Sequence, residues 1–585
     1  MWGSMVRVRH EPRIEAESPA SLSALLARLL RHLSGRRRRQ LGLVFGLMIL
    51  GALAEVMAIG AILPFLSLAA DPGGALGLPV VGAWLAGTGL APRELLILAG
   101  GGFAVMAVLA GVVRLVLVWA SQKVSYRLGH DLAVQVFARA IHQPYLHHVA
   151  RNSSRLVADV DRVQVLQSGV ILPLMNGAVA SIIAGFILAA LVAIDPVVAL
   201  IAGAGFAGLY ALVSRATRHR LRANSRIISA AQTERVRTIQ EASGAVRDIL
   251  IDHAQPVYVD RFRHTDLPYR DAQAANATIG QAPRFIIEGL GMVLFAIIAT
   301  VLALRPGGMA AALPVLGALA VGAVRLLPLL QQIYNGWASI AGNRQSLADV
   351  VEALDLPLPA DAPATAPLPF ARQIELQDVA FRYPAGGGPV LAGVSLTVKR
   401  GARVGISGRT GSGKSTLVDM ILGLLEPDSG RILIDGVPLG PATRAAWQAR
   451  VAHVPQAIYL ADATLAENIA FGVPPGRIDM ERVRRAAEQA ALAGFVDSLP
   501  GGYGTGVGER GVRLSGGQRQ RVGIARALYR NADVLVFDEA TSALDTGTEA
   551  EVMAAVNALS RELTVFLIAH RMSTLDGCDV RVRLG

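Results

Sequence analysis

Six apolar stretches, near 41–66, 95–119, 167–192, 194–213, 285–304 and 309–333, each approach the length of a bilayer crossing. Six segments of that kind restrict the N-terminal half to a helical bundle whose solvent is lipid. Only Asp195-Pro196 separates the third from the fourth, so these two form a tight hairpin. The composition agrees: 52% of residues are hydrophobic and 17% charged, where a soluble domain carries about 25% charged residues. With 585 residues the chain exceeds a single core and calls for at least two domains.

The basic residues orient the spans. Ser67–Pro92 contains no Lys or Arg, whereas 121–165 and 214–283 are rich in Arg. The positive-inside rule therefore puts the N-terminus and the C-terminal half in the cytoplasm. It also accounts for much of the net charge of +12 without a nucleic acid. Arg36 to Arg39, just before the first span, read as part of the same signal. Leu22, Leu25, Leu26, Leu29, Leu30 and Leu33 recur at helical spacing and predict an amphipathic helix on the membrane surface. The two basic segments read as helix pairs that prolong the spans and turn near Pro144 and Pro256. One cysteine, Cys578, leaves no disulfide framework and no Cys-based zinc site. Met1–Leu33 has no short apolar core with a cleavage site, so no cleaved signal peptide is expected.

Glu55, Arg114, Glu288 and Arg325 fall inside apolar stretches. Charges there are costly and line a cavity, snorkel, or pair with each other. The depth of Arg325 favours a cavity for a charged substrate, while Arg114 lies near enough to the inner surface to snorkel.

Asp355 to Pro369 contains five prolines and reads as a stiff linker. Beyond it the pattern changes to strands alternating with helices. Gly408-Arg409-Thr410-Gly411-Ser412-Gly413-Lys414-Ser415-Thr416 fits G-x-x-x-x-G-K-[ST]. It sits between an apolar strand and a helix, the context in which backbone N–H groups wrap a phosphate chain. Lys414 would reach the β- and γ-phosphates and Ser415 would ligate Mg²⁺. Val534–Phe537 is an apolar strand that ends in Asp538 and Glu539. Asp538 is the expected metal partner and Glu539 the expected general base for an attacking water. Ser515-Gly516-Gly517-Gln518 opens a helix and forms a second anion site. Tyr383 could stack on an adenine ring or be a surface aromatic in a strand, and the phosphate loop about 25 residues later favours stacking. A γ-phosphate clamped between the two anion sites needs two such domains, head to tail.

Together these residues resemble the ATP-binding cassette (ABC) transporters. In that resemblance Gly408–Thr416 is the Walker A loop, Val534–Asp538 is Walker B and Leu514–Gln518 is the signature. Gln456 is similar to the Q-loop glutamine, a metal and water ligand, Asp545 to the D-loop aspartate, and His570 to the switch histidine. The resemblance implies an α-helical six-span transmembrane domain (type IV ABC exporter fold) fused to an α/β P-loop nucleotide-binding domain. It places the domains at 1–40 (cytoplasmic N-terminus with elbow helix), 41–350 (transmembrane), 351–371 (linker) and 372–585 (cassette, shortened at its C-terminus). It implies ATP and Mg²⁺ as cofactors, a homodimer as the working form, and cytoplasmic turns that act as coupling helices.

It further implies ATP-driven export or flipping across the cytoplasmic (inner) membrane. His142-Gln143-Pro144-Tyr145, Arg151–Ser154, Pro283-Arg284-Phe285 and Glu288 resemble lipid-linked oligosaccharide flippases, so a lipid-linked saccharide is the expected substrate. Lipid A, drugs and peptides are alternatives with the same engine. A soluble or DNA-associated ATPase shares the cassette but not the spans.

Overall fold

The computed structural model describes residues 21–70, 92–194, 196–303, 308–358, 368–384, 386, 388–539, 547, 554, 562–569 and 575–584. The chain divides into two compact units: one up to Gln143 together with Arg151–Leu358, the other Pro144–Ala150 together with the chain after Leu358.

The first unit is helical. Its long helices are Gly35–Ala70, Pro92–Ile141, Leu172–Ile194, Pro196–Gly244, Gln255–Ala303 and Gly308–Gly342. Each contains all or most of one of the six apolar stretches, and three continue well past the bilayer length. The main pairings join Gly35–Ala70 to Pro92–Ile141, Gly308–Gly342 to Leu172–Ile194, and Gln255–Ala303 to Pro196–Gly244. Many large apolar side chains on these helices face outward, among them Leu43, Ile97, Leu115 and Phe285. In water such a surface would be a liability; in lipid it is the solvated face. Among the described residues, Arg93–Ile141 and Ser153–Ala189 are helical stretches long and apolar enough to cross a membrane.

The helix breaks expected as cytoplasmic turns fall beside the two prolines. One helix stops at Ile141 and the next starts at Tyr145; later, Val246–Ile251 precedes a helix that starts at Gln255. Proline is tolerated at a first helical turn because its missing N–H would have had no partner there. Helix Arg344–Asp355 runs five residues into the expected linker and buries Leu347, Val350, Val351 and Leu354. The proline-rich part from 359 to 367 lies outside the described residues.

The N-terminal helix corrects an expectation. Leu22–Arg31 forms as predicted, with Ser21 as its N-cap. Its apolar face, however, packs on protein. Leu25, Leu29 and Leu33 are buried in a cluster with Leu132, Val136, Leu347, Val350 and Leu354. His32 bonds to Asp355 at 2.7 Å, and Arg28 pairs with the same carboxylate. The helical spacing could not distinguish a lipid surface from the buried flank of Arg344–Asp355, since both accept the same leucine stripe.

The second unit carries two sheets. Strands β1 (Gln373–Phe381), β2 (Leu391–Lys399), β4 (Ser429–Ile434) and β5 (Val437–Pro438) form an antiparallel sheet in the order β2-β1-β4-β5. Strands β3 (Arg403–Gly408), β6 (Val451–Val454), β7 (Val534–Asp538), β8 (Thr564–Ile568) and β9 (Val580–Leu584) form a parallel sheet in the order β6-β7-β8-β3-β9. Every residue of β8 and the first four of β3 and β7 are buried, as expected for parallel strands covered on both faces. The C-terminal segment is part of this sheet, for β9 pairs with β3 from Val404↔Val580 to Gly408↔Leu584.

Candidate nucleotide site

Because the five strands are parallel, their C-terminal ends share one edge, where open α/β sheets hold ligands. β3 delivers Gly408 and the glycine loop, β6 leads to Gln456, and β7 delivers Asp538 and Glu539. β8 ends two residues before His570, which lies outside the described residues, as does Asp545.

The loop is shaped by its glycines. Gly411 and Gly413 take φ values of +84° and +89°, conformations that L side chains avoid. A Cβ on Gly408 would stand 2.5 Å from the Leu584 carbonyl oxygen. Lys414 is buried, and its Nζ donates to the carbonyls of Gly408 (2.9 Å) and Arg409 (3.1 Å). The ammonium is thus folded back over the loop. Ser412 Oγ is buried without a partner, an orphan that a phosphate oxygen would satisfy. Ser415 is exposed in the first turn of Lys414–Ile421, while Thr416 is buried. The Tyr383 hydroxyl lies 3.3 Å from Thr416 Oγ1, and its ring packs edge-on against Phe381. The predicted adenine platform therefore stands beside the glycine loop.

Carboxylates converge on the same edge. Asp538 is held above the usual carboxylate range by burial and then by Glu539, with Lys414 pulling the other way. Asp419, which the sequence reading passed over, is pushed up to about 6 by burial and by Asp538. Gln456 Nε2 donates to Glu539 Oε2 at 3.0 Å. Among the described residues no cluster of three His, Cys, Asp or Glu could hold a metal by itself. Ser415, Asp538 and Gln456 fit a hard cation that takes its other ligands from phosphates and water. Bound there, Mg²⁺ would neutralise charge between the phosphates and these side chains.

The signature is a helix start of another kind. Ser515 caps Gly516–Tyr529: its Oγ accepts from Gln518 N (3.2 Å), and Gln518 Oε1 accepts from Ser515 N (2.8 Å). The Gln518 side chain thus closes a capping box at the start of this helix. Gly516 and Gly517 keep their N–H groups at the positive end of the helix. Among the described residues no hydrogen bond joins 515–518 to 408–416.

The intramembrane residues separate into pairs. Arg325 Nη1 lies 3.3 Å from Glu55 Oε1, so two of the expected cavity residues form an ion pair. Glu288 pairs with Arg284 at 2.8 Å, one turn away. These two, with Tyr210, Pro328 and Gln331, line a cleft of about 400 Å³. Arg114 is exposed on Pro92–Ile141 and joins neither pair. A second cavity of about 250 Å³ is lined by amides and small residues, including Asn276, Gln281, Asn335, Ser339 and Asn343. Neutral amides leave no trace in a search for intramembrane charges, so the sequence reading missed it.

An ABC transporter family profile matches residues 391–542. An ATP-dependent lipid A-core flippase of Burkholderia orbicola is 30% identical over 461 residues, 78% of this chain and 76% of that protein. The chain belongs to the ABC transporter family. Another flippase of that description, from Alkalilimnicola ehrlichii, is 33% identical over 383 residues, 64% of each chain. One from Ralstonia nicotianae is 45% identical over 207 residues, 35% of each. These last two alignments thus span less than two thirds of the relatives' lengths. The structure of a bacterial Atm1-family ABC exporter with ATP bound covers 94% of this chain, with a TM-score of 0.75 and 26% identity. The architecture is that of an ABC exporter: a six-span helical domain fused to a P-loop cassette.

Proposed function

We propose that the chain is one half of a homodimeric ATPase that flips a saccharide-bearing lipid across the cytoplasmic membrane. The observation that carries the ATPase reading is the shared sheet edge, where Lys414, Asp538 and Glu539 meet and Gln456 holds Glu539. In this reading the glycine loop and Lys414 bind the phosphates, Ser415 and Asp538 hold Mg²⁺, and Tyr383 stacks on adenine. Glu539 orients a water and accepts its proton as the water attacks. His570 and Asp545 complete the site.

The signature N-terminus at Gly516 and Gly517 has no phosphate to face within its own chain. A second copy, head to tail, supplies one, so each ATP is held by Lys414 of one subunit and the signature of the other. Closing and opening that pair moves the spans between inward-facing and outward-facing states.

The substrate is read from two supports. The relatives above are described as lipid A-core flippases, and the helical unit has an amide-lined cavity of the kind that hydrogen-bonds sugar hydroxyls. Glycolipids of the lipid A-core class therefore come ahead of polyprenyl-linked oligosaccharides, and both ahead of drugs. ATPase stimulation of the nanodisc-embedded protein by lipid A-core, a polyprenyl-diphosphate saccharide and an amphipathic drug tests this order. Stimulation by the drug alone would sink the glycolipid reading.

A further inference from the structure

The apolar stretch of helix Pro196–Gly244 ends near Val213, and the helix continues well beyond it. Arg215, Arg218, Arg222 and Arg226 are all exposed on it. At about 100° per residue they fall within an arc of about 80°, a stripe of guanidinium groups about 17 Å long. Among the described residues no carboxylate pairs with any of the four. By contrast, Arg37 pairs with Asp131, Arg235 with Asp266, and Arg261 with Glu234 and Glu241. A second element joins the stripe. Gln345 N donates to Ser225 Oγ at 2.8 Å, which brings half-buried Arg344 against the same face. Burial, and then the charges of Arg222, Arg218 and Arg226, pull the Arg344 pKa below its ordinary value. The stripe is therefore repulsive within the chain, and bound anions would relieve it.

The positive-inside rule needs arginines here but not on one face. Distance excludes the bilayer as the main counter-charge. Along the helix, Arg222 and Arg226 lie about 13 and 20 Å past Val213, whereas the head-group layer is about 5–8 Å thick. A single diphosphate at the lipid junction cannot reach them either. An extended head group can. Asn343, the neighbour of Arg344, lines the amide cavity, so a site for neutral sugars and the cationic stripe meet at the same chain position.

We infer that the Arg215–Arg226 stripe binds acidic groups, phosphate or carboxylate, carried on the distal sugars of the transported head group. The inference rests on the glycolipid reading above. It makes the charge of the outer saccharide, and not only the lipid anchor, a determinant of selection.

The test uses the full chain in nanodiscs of zwitterionic lipid and three synthetic glycolipids with one lipid and one tetrasaccharide. The first is neutral, the second phosphorylated on the lipid-proximal sugar, the third on the two distal sugars. Binding and ATPase stimulation are measured for each. The expected result is at least tenfold tighter binding of the distal-phosphate probe than of the neutral one. Arg222→Gln/Arg226→Gln should erase that preference and leave the other two probes and basal ATPase unchanged. Arg222→Lys/Arg226→Lys should keep most of it. No preference in the wild type, or equal loss for all three probes, overturns the inference. So does an effect of the variant that appears only when anionic phospholipid is added, which would assign the stripe to the bilayer. Loss of basal ATPase or of the dimer in the Gln variant would assign it to assembly. If none of the probes stimulates the wild type while another amphiphile does, the glycolipid reading fails instead.

Discussion

Gln456 and Glu539, 83 residues apart in sequence, share a hydrogen bond of 3.0 Å from Nε2 to Oε2 at the C-terminal edge of the parallel sheet. The glutamine thus orients the carboxylate proposed to take the proton from water. Glu539→Gln should lower ATP hydrolysis by about 10²–10⁴-fold and leave nucleotide binding intact. Gln456→Ala should cost about 10–100-fold. Steady-state phosphate release and fluorescent-nucleotide binding check both; unchanged turnover in Glu539→Gln would remove the general-base assignment.

Gly408 is held against β9. Its missing Cβ leaves room for the Leu584 carbonyl oxygen, which a methyl would approach to 2.5 Å. Gly408→Ala should weaken nucleotide binding at least tenfold by displacing the loop or the strand. Removing 580–585 should destabilise the cassette, since β3 would lose the ladder from Val404 to Gly408. Thermal unfolding with and without ATP separates the two effects.

Asp435 gives the cassette a pH dependence. Burial raises its pKa, but hydrogen bonds from the N–H groups of Ala371, Gln373 and Arg372 outweigh it and hold the carboxyl below its ordinary value. The distances are 2.5 Å to Ala371 N, 2.7 Å to Gln373 N and 2.8 Å to Arg372 N. A depressed carboxylate adds stability above its unfolded pKa of about 3.9, and that stability fades as pH falls through the lower folded value. Asp435→Asn should cost about 1–2 kcal/mol at pH 7. The gap to wild type should shrink below about pH 4, as read by denaturant unfolding. A gap independent of pH would refute the carboxylate's role.

Glu55 and Arg325 form a pair across two spans. Either Glu55→Ala or Arg325→Ala strands a charge in an apolar segment and should lower folding yield and transport together. The exchange Glu55→Arg/Arg325→Glu should restore both. Restored yield without restored transport would mean that Arg325 also touches substrate.

Leu29 is 5% exposed and Leu30 50% exposed on the N-terminal helix. Leu29→Ala should destabilise the helical unit by about 2–4 kcal/mol. Leu30→Ala should change it by less than about 0.5 kcal/mol. Equal effects, or a shift only in membrane partition, would return the helix to the lipid surface.

Much of this chain is legible from composition and local pattern. A bilayer imposes a length and an apolarity on every crossing, so the spans could be counted before any contact was known. A phosphate loop needs glycines, a lysine and a hydroxyl in one short run, so Gly408–Thr416 identifies itself. The capping role of Gln518 also lies in a local Ser-x-x-Gln spacing.

Long-range relations decided the rest. Periodicity marks an apolar face but not what covers it, so only the fold placed Leu25 and Leu29 against Val350 and Leu354. Hydropathy finds buried charges but not their partners, so the pairing of Arg325 with Glu55 had to come from packing two spans together. Asp419 looks like any helical aspartate until burial and Asp538 raise its pKa. The arginines beyond Val213 counted as a topology signal in sequence. Helix geometry and the approach of Arg344 arranged them into a stripe, because like charges converge only where tertiary packing holds them.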